Sequence, residues 1–150
     1  MTGPQSGLLG WRTDARVKNL RASHPGKLEA EAGSLILSDD DPAIALNRFV
    51  QAAWPILSQG QDKSQPYSES RNIPSMLLAL AQPTEAMGIN TEPMWRAGRA
   101  LTGKTTFGNN PLNEGEYSEV LDLAKALFAK FGMGLAAARS LGRPGVHLGR

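Results

Sequence analysis

The segment from Asn113 to Leu141, NEGEYSEVLDLAKALFAKFGMGLAAARSL, constrains the fold more than any other stretch, because apolar spacing, end signals and charge order agree in it. Tyr117, Val120, Leu121, Ala124, Leu127, Phe128 and Phe131 recur at three- and four-residue steps, which gathers them along one side of an α-helix. Asn113 is placed to cap that helix. Acids fill its first half and Lys125 and Lys130 its second, the order that the helix dipole favours. Gly132 and Gly134 interrupt the stripe while Leu135 and Ala138 continue it, so the segment reads as one bent helix or as helices over 114–131 and 134–141.

Three further helices carry signals with a mechanism. Asp41-Pro42 joins an acidic cap to a proline at the first helical position, and Ile44, Phe49, Val50, Ala53, Trp54 and Leu57 follow as a stripe. This predicts a helix over 42–58, kinked or shortened by Pro55. The block Ile73 to Ala81 predicts a buried helix over 74–81, stopped by Pro83. Thr91-Glu92-Pro93 repeats the starting logic for a helix over 92–102, closed by Gly103. Between these, residues 59–72 read as a polar loop and Ser34 to Ser38 as a short strand or buried extended segment.

The remainder is expected to be irregular. With 16 Gly and 10 Pro in 150 residues, the chain has many breaks. Residues 1–34 read as a loop-rich, basic amino-terminal arm, residues 35–141 as the helical domain, and residues 142–150 as a basic tail. The sequence therefore predicts a mostly all-α protein, a small irregular domain of about four to five helices with extended arms at both ends. Its expected core comprises Ile44, Phe49, Val50, Trp54, Leu77, Leu78, Leu80, Trp95, Leu101, Val120, Leu121, Leu127, Phe128 and Phe131.

Composition removes several chemistries. There is no cysteine, hence no disulfide framework, thiolate metal site or cysteine nucleophile. No apolar run approaches the roughly 20 residues that span a bilayer, and the amino terminus lacks the order of a secretory signal, so a soluble, cytoplasmic protein or one inside an assembly is expected. The two histidines, His24 and His147, have no neighbouring acid or thiol to make a site. Asp39, Asp40 and Asp41 are adjacent rather than alternating, which suits a helix start better than a metal loop. Glu116 and Glu119 read as a solvated face rather than an acid/base pair. Neither a catalytic residue, a metal nor a cofactor is expected.

Gly98 to Thr105, GRALTGKT, satisfies the letter pattern of a phosphate-binding loop, with Gly98, Gly103, Lys104 and Thr105 as its positions. Its surroundings argue against that chemistry. A helix-like segment precedes it where a buried strand is needed, and Gly108-Asn-Asn-Pro111 follows where a helix should begin.

Charge distribution points instead to contacts. The net charge is only +2, but residues 1–27 hold Arg12, Arg16, Lys18, Arg21 and Lys27 against Asp14 alone. Residues 139–150 hold Arg139, Arg143 and Arg150 with no acid. Trp11, Arg12, Arg16, Lys18, Arg21, Arg139 and Arg143 are the candidate contacts to DNA, RNA or an acidic protein surface. Tyr117, Phe128, Phe131 and Leu135 are the candidate interface with another subunit. The expected function is a non-catalytic accessory or assembly subunit of a nucleoprotein or viral or phage-type assembly. One alternative is a nucleic-acid-binding regulator whose helices 74–81 and 92–102 act as a helix-turn-helix-like pair, with Arg96 and Arg99 on the recognition helix; a more remote one is a nucleotide-binding protein through Gly98–Thr105.

Overall fold

A computed structural model describes residues 11–59, 66–104 and 107–131, with the backbone alone for residues 11–14 and 131. Six helices follow in order: α1 (Trp11–Ser23), α2 (Lys27–Ile36), α3 (Pro42–Leu57), α4 (Ser68–Ala81), α5 (Thr91–Thr102) and α6 (Glu114–Phe131). No strand occurs among the described residues, and the all-α class read from the sequence holds.

Three helix ends fall where the local chemistry puts them, whereas α5 starts at Thr91 after Asn90 with no side-chain cap, the Thr91 hydroxyl donating to Asn72 instead. The Asp41 carboxylate accepts from the Ala43 amide at 2.8 Å and Pro42 occupies the first turn of α3. The Asn113 side chain accepts from the Glu116 amide at 3.0 Å at the start of α6. Gly103 closes α5 in the left-handed conformation, φ 72°, and its amide donates to the Arg99 carbonyl. Pro55 does not break α3. It lies on the exposed side, one turn after exposed Gln51, whose carbonyl it leaves without the intrahelical donor.

α2, α3 and α4 pack on one another, and α6 lies against α3. Leu46, Leu57, Leu78, Ile89, Leu112, Tyr117 and Val120 are large side chains buried almost completely. Each contributes about 1.5–3 kcal/mol by leaving water, before the entropy of ordering the chain is set against it.

Residues 11–36 differ from the expected loop-rich arm. His24-Pro25-Gly26 does break the chain, with Gly26 at φ 77°, but both sides of the break are helical. α1 attaches through buried Leu20 and partly buried Val17, and α2 through Leu28 and Leu35, two turns apart on one side. The Ser34–Ser38 run is accordingly not a strand: Ser34 to Ile36 is the last turn of α2, with Leu35 inward and Ile36 outward. Two apolar anchors per helix give too little period to read in sequence, and packing of α2 on α3 and α4, and of α1 on α2, supplies the stability.

α4 is the second difference. It begins at Ser68, so the end of the expected 59–72 loop is helix, and Ser68, Glu69, Ser70 and Arg71 are all buried. The expected core is also revised. Ile44, Leu80 and Leu101 stand 42%, 55% and 56% exposed, while Trp54, Leu77, Trp95, Leu127 and Phe128 are half-buried. Of the expected members, Phe49, Val50, Leu78, Val120 and Leu121 are buried. The Phe131 side chain and the 134–141 helix lie outside the described residues.

Candidate functional site

The first turns of α4 carry a polar network that ties three other parts of the chain together. Arg16 of α1 pairs with Glu69, whose side chain is buried and also accepts from the Ser68 hydroxyl at 2.9 Å. The Ser70 hydroxyl donates to the Tyr67 carbonyl at 2.7 Å and accepts from the Leu112 amide at 3.0 Å. One turn on, the Ser75 hydroxyl donates to the Arg71 carbonyl and accepts from the Ile89 amide at 2.8 Å. These short hydroxyls fix loop amides that burial would otherwise leave without a partner.

Arg71 is the centre of this region. Its guanidinium donates to the carbonyls of Gly108 at 2.9 Å and Asn110 at 3.4 Å, and stacks 4.7 Å from the centroid of Phe107 and 5.7 Å from that of Tyr67. Burial lowers its pKa from the ordinary arginine value, and the charges of Glu116 and Tyr67 act the other way. Arginine nonetheless stays protonated at physiological pH. Glu116 completes the loop by accepting from the Gly108 amide at 2.8 Å. Arg71 Nε and Glu116 Oε2 are buried without a protein partner. Packed between α4 and the 107–112 segment, this network anchors a loop.

Elsewhere, a cleft between α2 and α3, lined by Glu31, Ser34, Leu35, Ser38 and Arg48 among others, has room for about one water molecule. No cluster of His, Asp or Glu suited to a metal ion is present among the described residues. No helix among them is long and apolar enough to cross a membrane.

The candidate residues from the sequence are scattered. Tyr117 moves from the interface to the core: it is fully buried, because its hydroxyl finds backbone partners at Met87 that let the whole ring leave water. Phe128 is half-buried on α6, while Leu135 and the Phe131 side chain lie outside the described residues. On α1, Arg16 is engaged with Glu69, and Arg21 pairs with Glu29 at 2.5 Å; Lys18 is exposed. The side chains of Trp11 and Arg12, and all of Arg139 and Arg143, lie outside the described residues.

Gly98 sits inside α5 and Gly103 and Lys104 just beyond its carboxyl end, where the helix presents carbonyls rather than amides. Thr105 lies outside the described residues. On α5, Arg96 pairs with Glu92 at 2.5 Å and the Arg99 guanidinium lies 5.4 Å from the Trp95 ring centroid. The link from α4 to α5, residues 82–90, is longer than a helix-turn-helix turn.

Sequence reading missed Arg71, Ser70 and Ser75. The available signal was that Ser70, Ile73 and Leu77 share the spacing of one helix side, which carries the apolar block back into the polar stretch. No protein-family model, curated protein or solved structure matches this chain.

Proposed function

We propose that the protein is a non-catalytic accessory or assembly subunit of a larger complex, docking on protein partners through incompletely covered helix faces, with its basic ends as contacts to nucleic acid or to acidic protein surfaces. The observation that carries the reading is the poor coverage of α5 and of the end of α6. α5 is amphipathic, yet Gly98 is its one buried residue, and Leu101 is 56% exposed. On α6 no described residue after Ala124 is buried, although Leu127 and Phe128 continue the apolar stripe. Apolar stripes at this spacing that the chain itself leaves half covered suit helix-to-helix contact with another subunit.

The test is capture of partners by the full-length chain from its native source, with identification of the bound species and measurement of the size of the complex. The reading expects a defined complex that Leu127→Asp disrupts. A compact monomer that retains no specific partner overturns it.

The exposed Arg96 on α5, with Arg99 over the Trp95 ring on the same helix, favours a second reading as a nucleic-acid-binding regulator. Binding to generic DNA and RNA as a function of salt separates the two, since phosphate contacts weaken steeply as salt rises. Absence of binding at low salt removes this second reading.

A further inference from the structure

Among the described residues five large apolar side chains stand exposed, and four of them belong to one pole of the α2–α3–α4 unit: Ile36 (40%), Leu37 (82%), Ile44 (42%) and Leu80 (55%). α2 ends there, α3 begins there after the connection 37–41, and the end of α4 is held beside it by a 3.3 Å hydrogen bond from Gln82 Nε2 to the Ser38 carbonyl. Exposed acids adjoin them along the chain: Asp39, Asp40 and Asp41 join Leu37 to α3, and Glu85 follows Leu80 by five residues. Arg48 of α3 pairs with one of them, Asp40, at 2.8 Å. The pole is thus apolar and net acidic.

The chain carries a segment of matching chemistry. Residues 132–150 contain Arg139, Arg143 and Arg150 without a single acid, together with Leu135, Leu141 and Leu148. At about 3.3 Å per residue when fully extended, the 19 residues after Phe131 (132 to 150) span at most about 60 Å, and the nine after a helix over 134–141 would still add about 30 Å, comparable with the width of a domain this size. Tethering holds them at an effective concentration in the millimolar range.

We infer that the pole formed by Leu37, Leu80 and the acids beside them is the docking site of the chain's own segment 132–150. Its leucines cover the exposed apolar side chains and Arg139 and Arg143 face the acids. The contact goes beyond the assembly reading and does not depend on it.

The parent chain has no cysteine, so an engineered pair reports proximity cleanly in the full-length protein. Ala81→Cys, at the exposed end of α4, is combined with Ser140→Cys, and the control joins Ser140→Cys to Ala100→Cys on the exposed side of α5. Docking expects the first pair to form an intramolecular disulfide about tenfold faster than the control at low salt. The excess should shrink as salt rises to about 0.5 M, where surface charges are screened, and should fall in Leu37→Ser/Leu80→Ser, whose retained helicity is checked by circular dichroism. Equal rates for the two pairs overturn the inference. So does a disulfide-linked dimer in dilute solution, which assigns the pole to a second copy. Either result leaves the assembly reading to be decided separately by partner capture.

Discussion

The Tyr117 hydroxyl donates to the Met87 carbonyl at 2.9 Å and accepts from the Met87 amide at 3.2 Å, so that one side chain of α6 holds both polar groups of a residue in the α4–α5 connection. Tyr117→Phe keeps the ring and removes those bonds. The expected loss is about 1–3 kcal/mol in urea unfolding, the cost of leaving buried backbone groups without a partner. Helical content should stay at the parental level.

Arg71 makes a sharper case, because its removal affects hydrogen bonds and ring contacts together. Arg71→Met preserves much of the volume but leaves the Gly108 and Asn110 carbonyls without their donor and Glu116 without its nearby positive charge. Destabilisation of about 3–5 kcal/mol is expected, since breaking one partner of a buried charged network costs more than replacing the whole of it. Amide exchange should rise first in residues 107–112. Parental stability in this variant would refute the anchoring role given to Arg71.

Two substitutions on α6 separate folding from assembly. Val120 is fully buried, and Val120→Asp should unfold the domain by placing an unpaired carboxylate in its core. Leu127 is half-buried beyond the last buried residue of the helix. Leu127→Asp should change the thermal midpoint by only a few degrees while abolishing partner capture. If it unfolds the chain as Val120→Asp does, the face is internal and the docking surface lies elsewhere.

The Arg21–Glu29 pair predicts a small, signed pH effect. The Glu29 carboxyl is held below its ordinary value of 4.5 by hydrogen bonding to its own backbone amide and by Arg21. A carboxyl with a lowered folded pKa contributes stability above its unfolded value and loses it as pH falls through the folded one. The parent should therefore exceed Glu29→Gln slightly at neutral pH, and the difference should vanish at acid pH below the folded value. A difference that grows on acidification contradicts the assignment. Because the group is exposed, the effect is best read from the Glu29 carboxyl resonance.

What could be read along the chain were features whose cause lies within a few residues. Asp41 before Pro42, Asn113 three residues before Glu116, and Gly103 after Thr102 act on amides and carbonyls of their own helix ends, so α3, α5 and α6 have nearly the expected boundaries. The weak context of the Gly98–Thr105 pattern was readable for the same reason: the placement of Gly98 within α5 depends on the residues around it.

The helical class, the caps and the α6 stripe were thus determined by the sequence alone, through interactions of short range. Tertiary structure decided what depends on partners distant in the chain. α1 and α2 are attached by Leu20, Leu28 and Leu35 against helices formed later in the chain, and Arg16 finds Glu69. Arg71 and Ser70 are buried because the segment 107–112 supplies carbonyls and an amide to receive them, and Tyr117 is buried because Met87 meets its hydroxyl. A polar side chain leaves water only when a matching group arrives with it, and only the folded chain brings those groups together.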